Sequence, residues 1–221
     1  MNGVQRPSPI RLIATLGLAG FFSGVILVTV YLATQPIIQR NQAEALEAAI
    51  YRVVPGAVSR KAFAVRDGRL VEISEDEAMR AGGDVVYGAY DENGNLVGYA
   101  IPGEGPGFQD TIRLIYGYDP RTRKVVGMEV LESRETPGLG DKILKDEHFL
   151  QNFKELSVEP EVVAVKSGTK TQPNEVDSIS GATISSKAVV AIINRSNQKF
   201  LSVLDGSVEG AATAEGGTRN D

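Results

Sequence analysis

The chain has 221 residues and a mass of 23.6 kDa, enough for one ordinary globular domain and an anchor but short for two independent cores. A formal net charge of -5 and a sequence pI near 5.1 offer no basic surface to neutralise a phosphate backbone, which sets nucleic-acid binding aside. There is no cysteine, which excludes a disulfide framework, a Cys-based zinc site, a Cys-ligated iron–sulfur cluster and a thiol redox couple. Any electron chemistry therefore has to live on a bound cofactor.

From Leu12 to Ala33 the chain is uncharged and mostly apolar over about the ~20 residues that a helix needs to cross a bilayer. Gly20-xxx-Gly24 could be a helix-packing face, or simply the glycine content common in membrane helices. A cleaved signal peptide is the competing reading. The run exceeds the ~7–15 residues of a signal h-region, however, and no small-x-small cleavage site follows it. Arg6 and Arg11 place the short N-terminal side in the cytoplasm by the positive-inside tendency, and the rest outside it.

Pro36 is expected to end the membrane helix, and Asn41 to Val53 is expected to form a second one, with Leu46, Ala49, Ile50 and Val53 at helical spacing before Pro55-Gly56. Between Val85 and Ile101 two apolar, β-rich runs flank Asp91-Glu92-Asn93-Gly94-Asn95, a hairpin signal. A second pair, Thr111 to Tyr118 and Lys124 to Leu131, is joined through Asp119-Pro120-Arg121-Thr122. Asp141 to Phe153 has a partial helical pattern, Val162 to Val165 suggests a short buried strand, and Ser185 to Leu204 suggests a helix. The fold class is therefore α+β, with antiparallel sheet. The expected organisation is a cytoplasmic N-terminus (1–11), a transmembrane helix (12–34), one extracytoplasmic domain (35–205) and a disordered, apolar-poor tail (206–221).

The chemically informative stretch is Asp177-Ser178-Ile179-Ser180-Gly181-Ala182-Thr183, which opens onto the apolar run from Ile184 to Ile193. A helix start presents unpaired backbone N–H groups and the positive end of its dipole, so a phosphate can sit there. From local physics alone an ordinary Ser/Thr N-cap is the default reading, with a phosphate seat as the alternative.

That run resembles the flavinylation motif, Asp-x-x-Ser/Thr-Gly-Ala-Thr/Ser, of two kinds of FMN-binding protein: the G subunit of Rnf electron-transport complexes and the C subunit of sodium-translocating NADH:quinone reductases. Every specified position is matched. Upstream, Glu135-Thr136-Pro137-Gly138-Leu139-Gly140 resembles a block that lies near the flavin in the same proteins. Read as local chemistry, that block is equally a tight loop between a strand and a helix. The compact soluble part and the form of ETPGLGDKI fit the Rnf type better than the reductase type.

The resemblance implies FMN esterified through its phosphate to Thr183 by a separate flavin transferase that uses FAD. Asp177 and Ser180 would be recognition or support positions, and Gly181 and Ala182 would admit the phosphate closely. Glu135, Thr136, Gly138, Leu139 and Gly140 would lie by the flavin. It also implies a single-pass protein of the cell inner membrane, in contact with lipid and other Rnf subunits, that relays electrons within an ion-translocating ferredoxin:NAD oxidoreductase and is not catalytic alone. A stand-alone extracytoplasmic flavodomain serving another reductase or regulatory system is the alternative. A third reading is a cofactor-free anchored domain in which SGAT is only a cap.

Other residues carry less. His148 alone cannot make a metal site and is expected on a surface or at a helix end. Gly103-Glu104-Gly105-Pro106-Gly107 follows no βαβ pattern and is expected to be a flexible loop beside the flavin. Tyr116 and Tyr118 are expected in the core or on the sheet. One histidine and no cysteine leave no nucleophile, base and orienter triad, so no catalytic residue is assigned.

Overall fold

A computed structural model describes residues 8–81 and 84–215; Arg6 lies outside the described residues. The chain divides into two compact units, with the boundary between Ala45 and Leu46. The described part of the first unit is the helix α1 (Pro9–Val53) as far as Ala45. This helix is long and apolar enough to cross a membrane, and Ile13, Leu16, Phe22, Leu27 and Leu32 on it are exposed. Pro36 does not end it, contrary to the sequence expectation. A proline removes one N–H donor, and the helix-forming residues that follow, QRNQAEALEAA, carry the helix through.

The second unit is built on an antiparallel sheet in the order β2-β1-β3-β4-β5-β6-β7. Its strands are β1 (Ser59–Arg66), β2 (Arg69–Ile73), β3 (Val85–Tyr90), β4 (Leu96–Pro106), β5 (Thr111–Asp119), β6 (Lys124–Glu132) and β7 (Leu156–Ser157). A small parallel pair joins β8 (Val163–Val165) to β9 (Glu175–Asp177). Helices α2 (Glu75–Ala81), α3 (Glu147–Gln151) and α4 (Thr183–Glu215) complete the fold, which is α+β as expected.

Both expected hairpins form. Asp91 Oδ1 accepts from the amides of Asn93 and Asn95 at 2.9 and 2.8 Å, and Gly94 takes φ +79, which costs a glycine nothing. Asp119 Oδ1 likewise accepts from the amide of Arg121 at 2.9 Å. The sequence reading missed β1, β2 and α2, although Asp67-Gly68, both at positive φ, is a hairpin turn signal in its own right. Where one helix was expected from Asp141 to Phe153, the chain makes a 3-10 turn (Gly140–Leu144) and then α3, because the Asp146 carboxylate restarts the helix by accepting from the Phe149 amide at 3.0 Å.

The middle of the sheet, β3 to β5, is buried on both faces, and strand alternation decides which residues go where. Tyr99 and Ile101 of β4 and Ile112, Leu114, Tyr116 and Tyr118 of β5 face Val189, Ile192, Ile193, Phe200 and Leu204 of α4. Ala100 and Ile115 face the other way, packing with Ile50, Val53 and Val54 from the end of α1. Gly103 and Gly105 lie inside β4, not in a flexible loop as expected. Both occupy the face under α4, where an added Cβ would stand 2.8 Å from Ile192. The glycines therefore flatten the strand so that the helix can lie on it. The final helix also runs on to Glu215, into the segment expected to be disordered, since its alanines and glutamates are good helix formers; residues 216–221 lie outside the described residues.

Candidate functional site

Thr183 is the first residue of α4 and is exposed. The carbonyl of Ala182 accepts the first helical bond, from the Ser186 amide at 2.9 Å, so Ala182 occupies the N-cap position. Alanine has no oxygen to cap with. The ordinary Ser/Thr cap is therefore not what this motif makes. The amides of Thr183, Ile184 and Ser185 precede that first bond, and no acidic residue stands in the first turn. Together they form a positive, donor-rich end suited to an anion.

The turn before the helix is fixed from within. The Ala182 amide donates to the Ile179 carbonyl at 2.9 Å, and Gly181 sits at φ +84, in the left-handed region where a side chain would be strained. Ser186 Oγ accepts from the Ile179 amide at 3.1 Å and donates to the Ala182 carbonyl at 2.9 Å, closing the SGAT turn onto its own helix. Ser185 and Ser186 are buried, whereas Ser180, in the turn, and Thr183, at the helix start, are both open to solvent.

The two sequence blocks meet in space. Ser185 Oγ donates to Glu135 Oε2 at 2.5 Å, while Glu135 Oε1 accepts from the amides of Phe108 and Gln109 at 2.9 and 3.0 Å. Thr136 Oγ1 donates to Gln109 Oε1 at 2.9 Å, and Leu139 Cδ2 is 3.9 Å from where a Cβ on Gly181 would be. Gly140 is buried between Glu135 and Ser185, with Glu135 Oε2 at 2.7 Å and Ser185 Oγ at 2.9 Å from a built Cβ. Gly138, at φ +77, forms the exposed turn of the block. Phe108, Leu139 and Ile184, each more than half exposed, leave large apolar side chains open to solvent on the three segments that Glu135 joins.

Burial penalises the charged form of Glu135. The hydrogen bonds from Ser185 and from the amides of Gln109, Phe108 and Asp110 outweigh that penalty and hold its carboxyl below the ordinary glutamate range. Asp177, by contrast, is not part of the Thr183 turn. Its Oδ1 accepts from the amides of Thr169 and Lys170, both at 3.1 Å, and its own amide donates to Asn152 Oδ1 at 3.3 Å, so its hydrogen bonds run toward the β8–β9 connection. Ser185, Phe108 and Gln109 were missed from sequence as site residues, and no local signal marks them, because their partner lies tens of residues away. His148 is exposed at the end of α3, and Tyr116 and Tyr118 are buried, as expected. Among the described residues no group of three or more His, Cys, Asp or Glu is placed to hold a metal ion.

An anion-receptive helix start bearing an exposed threonine, beside an open apolar rim, has the chemistry to receive a phosphate-bearing aromatic group. Residues 107–198 match the FMN-binding domain family. The chain is 32% identical over 182 residues to the G subunit of the ion-translocating oxidoreductase complex of Methanosarcina acetivorans, an alignment covering 81% of this chain and 88% of that one. It is 35% identical over 109 residues to the G subunit of the Na(+)-translocating ferredoxin:NAD(+) oxidoreductase complex of Acetobacterium woodii, covering 49% of this chain and 51% of the relative. This chain belongs to the G-subunit family of ion-translocating oxidoreductase complexes. Two solved structures share its fold. The C subunit of the Na(+)-translocating NADH-quinone reductase from Parabacteroides distasonis has a TM-score of 0.58 at 24% identity, over 75% of this chain and 94% of that one. Shewanella oneidensis NqrC has a TM-score of 0.57 at 18% identity, over 73% and 97%.

Proposed function

We propose that this protein is a membrane-anchored electron-transfer subunit of an Rnf-type ion-translocating ferredoxin:NAD oxidoreductase, carrying FMN as a phosphate ester on Thr183. The observation that carries this reading is the exposed Thr183 hydroxyl at an alanine-capped helix start, inside a complete flavinylation motif. The first-turn amides would hold the phosphate, with no first-turn carboxylate to repel it. Leu139, Ile184 and Phe108 would cover part of an isoalloxazine ring. The flavin supplies the redox chemistry; the chain binds it, orients it and sets its surroundings.

Attachment needs a donor and a transferase. With FAD as donor, the Thr183 oxygen bonds to the phosphorus on the riboflavin side, the pyrophosphate bond breaks, AMP leaves and the hydroxyl proton is released. Ser185 and Ser186 cannot compete, since their hydroxyls are buried and engaged. The ester also removes any dissociation equilibrium, which suits a domain held outside the cytoplasm, away from a free FMN pool. The apolar part of α1 supplies the anchor, with Arg11 at its cytoplasmic end.

The full chain, co-expressed with a flavin transferase, tests the site. On a denaturing gel the wild type fluoresces as a flavoprotein and Thr183→Ala is dark. Flavin fluorescence retained by Thr183→Ala would overturn the assignment.

A further inference from the structure

We propose that Glu135 is a positioning residue for Thr183: its buried carboxylate fastens the first turn of α4 to the connection between β4 and β5, and does so without touching the flavin. This proposal rests on the reading of Thr183 as the FMN carrier.

Three observations carry it. First, Glu135 is 5% exposed, so a charge on it requires donors, and its two oxygens divide them between two segments. Oε2 takes the Ser185 hydroxyl at 2.5 Å from α4, and Oε1 takes the Phe108 and Gln109 amides at 2.9 and 3.0 Å. Second, the carboxylate is walled in by backbone. A Cβ on Gly107 would collide with Oε1, and one on Gly140 would stand 2.7 Å from Oε2. Both positions are glycine because the chain passes too close for any side chain, so each carboxylate oxygen sits against backbone. Third, successive helix residues rotate by ~100°, so Ser185 and Thr183 point to nearly opposite sides of α4. Pulling Ser185 inward onto Glu135 turns Thr183 outward, in agreement with their buried and exposed states.

Glu135 therefore acts on the acceptor hydroxyl through Ser185. Its consequence is conformational: it narrows the range of positions that Thr183 and an attached flavin sample. Loss of the Glu135–Ser185 bridge is expected to slow flavin transfer about tenfold.

The test uses the full-length apo chain in detergent, FAD and a flavin transferase, with the flavinylation rate, the thermal midpoint and the flavin fluorescence anisotropy measured on Glu135→Ala, Glu135→Gln, Ser185→Ala and Thr183→Ala. Glutamine keeps an acceptor for the two amides and can still bridge to Ser185. Expected are a near-wild-type rate and flavin absorption spectrum for Glu135→Gln, and about tenfold slower transfer with lower anisotropy for Glu135→Ala and Ser185→Ala. Where Glu135→Ala does not fold, Ser185→Ala decides, because it leaves the Glu135 contacts to Phe108 and Gln109 in place. Wild-type rate and anisotropy in Ser185→Ala would overturn the proposal. So would a shifted flavin spectrum in Glu135→Gln, which would mean direct contact. Thr183→Ala separates the two claims: flavin on that variant defeats the Thr183 assignment itself, whereas a dark Thr183→Ala with an unaffected Ser185→Ala defeats only the positioning role.

Discussion

Glu135 and Ser185 are 50 residues apart in the chain and share one short hydrogen bond in a buried site. The sequence singles out Thr183, because the motif around it is local and complete, and it made Glu135 visible as part of ETPGLG. It could not show how the carboxylate is used. Read in sequence, Glu135 belongs beside a flavin; in the fold both its oxygens face inward, and the residues that consume them, Ser185, Phe108 and Gln109, lie in other segments. A pH dependence follows. Hydrogen bonds to its charged form lower the folded pKa of Glu135 below its unfolded value, so its contribution to stability is fully present above the ordinary glutamate range and is lost as pH falls through the lowered value. Thermal midpoints measured against pH should therefore show the wild type ahead of Glu135→Gln near neutrality, with the gap closing on acidification; a gap that widens in acid would contradict this.

At the scale of elements, strands and turns were readable where alternation and turn chemistry coincide. Asp91-Glu92-Asn93-Gly94-Asn95 specified the β3–β4 hairpin because Asp91 and Gly94 do there what their side chains favour. The hairpin of β1 and β2 escaped because its strands are rich in charge, with Arg60, Lys61, Arg66, Arg69 and Glu72 masking the alternation. Gly103 and Gly105 misled for a different reason. Glycine in a sequence signals freedom, but here it signals contact, with Ile192 standing where either side chain would go. Gly103→Ala should push Ile192 and Ser196, each 2.8 Å from the built Cβ, off the strand and cost about 1–3 kcal/mol of stability. Urea denaturation of the variant would measure this, and an unchanged midpoint would show that α4 can shift without cost.

For the whole molecule, the second unit is a sheet with α4 on one face and the end of α1 on the other. Each contact is made at glycines: Gly103 and Gly105 under α4, and Gly117 and Gly127 under Val53, whose carbonyl oxygen leaves no space for a Cβ on Gly117. The helix that begins at Thr183 is thus seated on a sheet that is itself packed from behind. Composition had already directed attention to a cofactor, since a cysteine-free chain has few other means of carrying electrons. The central claim is the bond at Thr183, and mass spectrometry of the flavin-containing protein tests it most directly. Trypsin should release residues 171–187, TQPNEVDSISGATISSK, as one peptide. The account predicts that this peptide is heavier by one FMN less one water, with fragment ions placing the addition on Thr183. An unmodified peptide from flavin-bearing protein, or an adduct placed on Ser180, would contradict it.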